Sequence, residues 1–230
     1  MIPLVFLPGM MCDARLFASQ IATFSQERAV QVAHIGGADT VSALAAQVLA
    51  HAPPRFALAG LSMGGIVAME ILSQAPDRVA RIALMDTNPK AEADAILDAR
   101  ETQIAKVRAG GLAGVMRDEM KPRYLADGPQ RDAILELCMD MALGLGPDVF
   151  ENQSRALQTR PDQQDTLRNA QCPALILCGR EDALCPLHRH TLMADLMPHA
   201  TLQVIENAGH LPTLEQPQET TAALRRWLED

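Results

Sequence analysis

Short apolar runs alternate along the first third of the chain with longer segments whose apolar residues recur at helical spacing. Residues 3–7, 29–35, Phe56–Leu61 and Val79–Met85 read as buried strands. Residues 14–24, 40–50 and Met63–Gln74 read as helices between them. Pro8-Gly9, Gly36-Gly37, Pro53-Pro54 and Ala75-Pro76 punctuate the pattern, and Asp39 or Thr40 is placed to cap the second helix. Strand and helix in strict alternation predict a mostly parallel sheet with helices on both faces, an α/β fold.

The pattern changes after Pro89. No clear strand is legible from about residue 90 to 170, which is charged and amphipathic, with breaks at Gly110-Gly111, at Asp127-Gly128-Pro129 and at 144–147. Three to five helices are expected there. Strands then return at 174–178 and Thr201–Ile205, with helices over 186–196 and 218–228, the last carrying the only tryptophan, Trp227. The expected organisation is a core formed by residues 1–89 and 171–230, interrupted by a helical insertion, 90–170. Such an insertion is a candidate lid over the site; the alternative is a helical subdomain with no role in binding.

Composition narrows the function. The 230 residues suit one domain with an insertion, and 48% of them are apolar, which speaks against disorder. A formal net charge of −8 argues against nucleic acid and against anionic membrane surfaces, since both need clustered Lys and Arg. The five cysteines, Cys12, Cys138, Cys172, Cys178 and Cys185, are odd in number and show no C-x-x-C spacing, so neither a disulfide framework nor a zinc knuckle is expected. Free thiols fit the cytoplasm. The first apolar run is short and no basic residue precedes it, so it reads as a strand rather than a signal peptide or membrane span. No phosphate loop or G-x-G-x-x-G occurs, and no cofactor is implied. His188 and His190 form an H-x-H pair without further ligands at familiar spacing; a solvated helix start is expected rather than a metal site.

The candidate chemistry lies in the loops after the strands. Gly60-Leu61-Ser62-Met63-Gly64 fits G-x-S-x-G, and it follows an apolar strand and opens a helix, the setting that a nucleophile elbow requires. Ser62 is the candidate nucleophile, against the alternative of an inert serine in a tight turn. A serine hydroxyl needs a base. Of the six histidines, His210 in Asn207-Ala208-Gly209-His210 follows the last strand and can reach back over the sheet edge. Asp182, in Gly179-Arg180-Glu181-Asp182 past the preceding strand, is the favoured acid. Glu181 is adjacent to it, and Asp86, at the end of the strand after the nucleophile helix, is a rival whose other reading is a turn or cap residue. The backbone N–H groups of Met63 and of Met10, in the loop after the first strand, are the candidate oxyanion donors. Cys185 reads as a small buried residue. Met10, Met11, Met63, Met116, Met120, Met139 and Met141 are candidates for an adaptable apolar pocket, with plain core packing as the alternative.

Phe6-Leu7-Pro8-Gly9, the Ser62 elbow, Gly179-Arg180-Glu181-Asp182, and Gly209-His210 followed by Glu215-Gln216-Pro217 together resemble the α/β-hydrolase superfamily. More narrowly they are similar to its small lidded esterases and lactonases, the groups of 3-oxoadipate enol-lactonase and of the carrier-protein ester esterases. Pro8-Gly9 stands where many relatives have His-Gly, and the chain begins at what matches the family's third strand. The resemblance therefore implies about six strands. It also implies cleavage of a small carboxylic ester, lactone or thioester, a small-molecule acyl substrate, through an acyl-enzyme on a Ser-His-Asp triad. Acyltransferases, carbon–carbon hydrolases and lyases share the fold and remain alternatives. A non-catalytic ligand-binding protein is a further one.

Overall fold

The structure is a computed structural model and describes residues 1–229. Six parallel strands form one sheet: β1 (Leu4–Leu7), β2 (Val30–Val32), β3 (Phe56–Leu61), β4 (Val79–Met85), β5 (Ala174–Gly179) and β6 (Thr201–Ile205), in the order β2-β1-β3-β4-β5-β6. The predicted six strands are all present. β2 is shorter than the apolar run 29–35 suggests. It is an edge strand whose only neighbour, β1, has four residues, and after Val32 a single bond from Ala33 N–H to the Phe6 carbonyl closes the pairing.

The pleat divides the apolar residues between two faces. Leu7, Leu58, Ile82, Leu84 and Ile176 join one core cluster, with α2 (Val41–His51) and α3 (Met63–Gln74). Leu4, Phe6, Ala57, Ala59, Ala83 and Leu177 point the other way into a second cluster with Phe17, Phe24 and Trp227. That cluster is closed by α1 (Ala18–Phe24) and by a helix over Pro217–Glu229. Because both faces are covered, the strands read as continuous apolar runs rather than as alternating ones. The sequence segment 14–24 is not one helix: Ala14–Phe17 is a 3₁₀ turn, capped by the Asp13 carboxylate on Arg15 N–H, and α1 follows it. Thr40 rather than Asp39 caps α2, its Oγ1 accepting from Ala43 N–H at 3.2 Å.

All residues between β4 and β5 that form regular structure are helical. The segment contains α4 (Asp94–Lys106), α5 (Leu112–Gly114), α6 (Arg131–Leu145), α7 (Pro147–Gln158) and α8 (Gln164–Asn169). Wide π-type turns flank α5, and Gly110 takes φ +89° where the chain kinks. Gly146, at φ +85°, separates α6 from α7. Two of the glycine breaks visible in sequence are thus real backbone devices. After β5 come α9 (Leu187–Leu196), α10 (Pro212–Glu215) and α11 (Pro217–Glu229).

In sheet order the chain first steps from β1 to β2 and then back past β1 to β3. The loops after β1 and β3 therefore diverge, and a crevice opens between them at the carboxyl edge, the usual binding position in open parallel sheets. Register aligns that edge, pairing Leu7 with Gly60, Leu61 with Met85, and Gly179 with Ile205. Ser62 and Asp86 each fall one residue past it, with the β1 loop beginning at Pro8.

The α3 helix approaches the β1 loop so closely that a β-carbon on Gly64 would fall on the Leu7 carbonyl oxygen and within 2.7 Å of the Pro8 oxygen. Neither atom belongs to a flexible side chain. Gly64→Ala is expected to lower unfolding stability by about 1–3 kcal/mol or more in urea titration. Gly128→Ala, where nothing lies within 4 Å of the added carbon, is expected to stay within about 0.5 kcal/mol of the parent.

Candidate active site

Ser62 occupies the single residue between β3 and α3, at φ +55° and ψ −116°. A non-glycine residue rarely adopts this conformation, and it persists only where the surroundings hold it. Its N–H donates to the Met85 carbonyl at 2.8 Å, and its carbonyl accepts from Gly65 N–H at 2.9 Å and from Thr87 Oγ1 at 2.7 Å. A β-carbon on Gly60 would meet the Gly64 carbonyl, so strand and helix can close on each other only with glycine there. Ser62 is half-buried there and lines a cavity of about 410 Å³.

The loop after β6 brings His210 over the serine. Nε2 of His210 lies 2.9 Å from Ser62 Oγ, and Nδ1 lies 2.8 Å from Asp182 Oδ2. The other Asp182 oxygen accepts from Leu184 N–H at 2.8 Å and Cys185 N–H at 2.9 Å. Burial raises the Asp182 carboxyl, but the His210 ring and those two N–H donors outweigh it and hold the group at about 2. Asp182 is therefore a carboxylate at any working pH. The three sequence candidates Ser62, Asp182 and His210 are brought into one hydrogen-bonded chain.

The rival Asp86 is not on the histidine. It is fully buried at φ +44°, and its Oδ1 accepts from Gly179 N–H at 2.9 Å. Burial, then the charge of Asp182, push its carboxyl well up. Among the described residues its Oδ2 has no hydrogen-bond partner. Glu181 is exposed.

In the β1 loop, Met11 takes φ +55° and its N–H donates to Gln153 Oε1 at 2.8 Å. Gln153 comes from α7, is buried, and also donates to the Ile35 carbonyl at 3.0 Å. Among the described residues neither Met10 N–H nor Met63 N–H has a hydrogen-bond partner. Both residues line the cavity beside Ser62. Gln153 thus braces this loop from α7.

Several supports were not legible in the sequence. His210 N–H donates to the Tyr124 carbonyl at 2.6 Å, from the insertion. Glu215, already part of the C-terminal motif, accepts from Ala126, Gly209 and Leu211 N–H at 2.8–3.0 Å and so sets the histidine loop. His190 corrects the expectation of a solvated H-x-H pair. His188 is exposed, but His190 is fully buried and its Nε2 accepts from Thr87 N–H at 3.1 Å. Burial lowers His190 to about 4, so the ring is neutral and a pure acceptor there. Of the seven methionines singled out, Met10, Met63 and Met120 line the cavity, whereas Met11, Met116 and Met141 are core residues. Met139 packs against the core. Asp182, Cys185 and His210 place one potential ligand atom each within 4.8 Å of one another. They suit an ion poorly, because Asp182 and His210 are spent on each other and burial drives the Cys185 thiol well up.

A family model described as the alpha/beta hydrolase family matches residues 4–224. The chain belongs to that family. A pimeloyl-[acyl-carrier protein] methyl ester esterase of Salmonella newport is 29% identical, over 82% of this chain and 75% of its own length. The enzyme of the same name from Chromobacterium violaceum is 28% identical, over 84% and 76%. Among solved structures, a thermophilic esterase from Thermogutta terrifontis superposes with a TM-score of 0.90 at 29% identity, covering 100% of this chain and 90% of that one. The enol-lactonase from Burkholderia xenovorans LB400 shares the fold, with a TM-score of 0.87 at 20% identity. This alpha/beta hydrolase is thus an enzyme of esterase-like character. Among its described residues no helix is long and apolar enough to cross a membrane.

The two buried acids should affect acid stability with opposite sign. Asp182, lowered to about 2 from 3.8, contributes about 2 kcal/mol that is present above pH 4 and lost as pH falls through 2. Asp86, raised, contributes stability that is present below its unfolded pKa and lost as pH rises above it. In thermal melts across pH 2–7, Asp182→Asn is expected to lose ground on the parent toward neutral pH. Asp86→Asn, which keeps the acceptor for Gly179, is expected to gain ground over the same range.

Proposed function

We propose that the protein hydrolyses a small carboxylic ester, lactone or thioester through an acyl-enzyme on Ser62, with His210 as the base and Asp182 as the residue that orients it. The observation that carries this reading is the unbroken chain from Asp182 Oδ2 to His210 Nδ1 (2.8 Å) and from His210 Nε2 to Ser62 Oγ (2.9 Å), ending at a cavity. Ser62 Oγ attacks the carbonyl carbon as His210 Nε2 takes its proton. The oxyanion that forms is held by the free N–H groups of Met10 and Met63, the latter at the positive end of α3. Collapse expels the alcohol or thiol, which takes the proton back from His210. Water, activated by the same histidine, then releases the acid and restores Ser62.

Residues 1–89 and 171–230 are the core in this reading, and 90–170 form a cap that shapes the acyl site. Ile96, Gln103, Met120 and Tyr124 all line the cavity from that segment, which supports the assignment. All five cysteines are free, which supports a cytoplasmic setting.

Ser62→Ala and His210→Ala are each expected to lower kcat/KM on short-chain esters by about 10⁴-fold or more while leaving the fold intact. Intact-mass analysis with a fluorophosphonate should show one adduct on the wild type and none on Ser62→Ala. An unlabelled but well-folded wild type would overturn the assignment. Added methanol or ethanol that diverts product into a new ester would favour acyl transfer over hydrolysis.

A further inference from the structure

The turn after β1 holds a conformation that its own residues do not favour. Cys12 N–H donates to the Gly9 carbonyl at 3.1 Å, which closes a four-residue turn with Met10 and Met11 at its centre. Met11 takes φ +55°, whereas Met10 is not among the residues of positive φ. That is the sign pattern of a type II turn, whose third position normally belongs to glycine or asparagine. The related type I turn keeps the same closing bond, needs no positive φ and accepts most side chains. The two forms differ by turning over the peptide between the central residues. A Met-Met pair therefore leans toward type I, and something outside the turn must hold it in the other form.

Gln153 of α7 is placed to do so. Its Oε1 accepts from Met11 N–H at 2.8 Å, and its Nε2 donates to the Ile35 carbonyl at 3.0 Å. Both bonds are buried, so the amide is fixed at both ends and cannot swing to follow the turn. A trans peptide points its N–H and C=O in opposite directions. Turning the Met10–Met11 peptide over would therefore carry the Met11 N–H away from Gln153 and set the Met10 carbonyl against an acceptor, a costly exchange in a buried place. The turn also lies against the candidate nucleophile. A β-carbon on Gly9 would stand 3.6 Å from Ser62 Cβ, and Met10 lines the same cavity as Ser62. Met10 is one of the two hinges of the flip, because its ψ changes together with the φ of Met11.

We infer that Gln153 is a positioning residue that selects, through the Met10–Met11 peptide, the form of the turn in which Met10 N–H serves the oxyanion. This role rests on the hydrolase reading above, and it makes part of the oxyanion site the property of the helical segment between β4 and β5. Without the Gln153 amide the turn relaxes toward type I, the competent form becomes a minor population, and the rate falls with that population. Binding of a ligand that makes no use of the oxyanion donor is left unaffected.

Gln153→Met keeps the length of the side chain and removes both hydrogen bonds, whereas Gln153→Glu keeps an acceptor for Met11 N–H in either protonation state. On p-nitrophenyl butyrate, Gln153→Met is expected to lower kcat about 10- to 100-fold with KM within about threefold, and Gln153→Glu to recover most of that loss. Asn152→Ala, which gives up a bond from the same helix to the Gly36 carbonyl (3.0 Å), is expected to hold kcat within about twofold. A trifluoromethyl ketone gives the sharper readout. Ser62 Oγ adds to its carbonyl carbon, the hydroxyl proton passes to His210, and the carbonyl electron pair becomes an oxyanion on the ketone oxygen. The corresponding alcohol fills the cavity but cannot add. In Gln153→Met the Ki of the ketone should rise about as much as kcat falls, while that of the alcohol should move less than about threefold. An unchanged kcat, an equal loss of affinity for ketone and alcohol, or a Gln153→Glu no better than Gln153→Met overturns the inference. Gln153→Asn, one methylene too short to span both loops, carries the same comparison if Gln153→Met does not fold. Fluorophosphonate labelling of the wild type keeps the two levels apart. A labelled, active wild type beside an equally active Gln153→Met removes this inference alone. An unlabelled wild type inert to the ester removes the triad reading and this inference with it.

Discussion

The close approach of α3 to the β1 loop is the constraint on which the site depends. Gly60 and Gly64 let backbone pass backbone at a distance no side chain permits, and the helix start is thereby pinned against Leu7 and Pro8. With both neighbours fixed, Ser62 has no room to relax from φ +55°. Its backbone is tied at both ends, to Met85 on one side and to Thr87 and Gly65 on the other. The strain is held by about half a dozen ordinary interactions, none exceptional alone. Met10 and Met63, whose N–H groups are unpaired among the described residues, line the same cavity as the serine.

A second layer controls charge. Two carboxyl groups, Asp86 and Asp182, lie side by side beneath the histidine, and only one can ionise readily. The N–H groups of Leu184 and Cys185 and the His210 ring select Asp182. Asp86, pushed up by burial and by the charge of Asp182, holds Gly179 N–H and thereby the end of β5. His190, neutral, fastens Thr87, and Thr87 fastens the Ser62 carbonyl. A rigid polar net therefore runs beneath the loops after β3, β4 and β5, every member of it buried or nearly so, where hydrogen bonds are strong and misplacement is costly.

Much of the fold was legible in the sequence because a sheet covered on both faces writes its strands as unbroken apolar runs. Phe56–Leu61, Val79–Met85 and Thr201–Ile205 match to the residue. The edge strand β2 did not, since pairing at an edge depends on the partner's length rather than on local hydrophobicity. The residues Ser62, Asp182 and His210 could be named because each follows a strand in a glycine-marked loop, and topology aligns such loops. Asp182 was favoured over Asp86 from its place past the strand preceding that of His210, but the backbone donors that set the two carboxyls apart are revealed by no spacing. Gln153 and the Tyr124 carbonyl were invisible for a similar reason. They lie in helical sequence with no motif, and a main-chain carbonyl has no residue type to betray it. His190 was misread as solvated because an H-x-H pair at a helix start looks the same whether its second ring faces water or the core.

The placement of Gln153 and Tyr124 has a consequence for how this molecule can diverge. Both belong to the helical segment between β4 and β5, yet one secures the Met11 N–H and the other secures the His210 backbone. The helical segment is thus stitched into the loops that carry Met11 and His210. Drift in the insertion is filtered through two anchor points. Change in what the enzyme accepts should accumulate at side chains that face the cavity from segments free of such duties, with the helix backbones around Gln153 and Tyr124 inherited as a fixed frame.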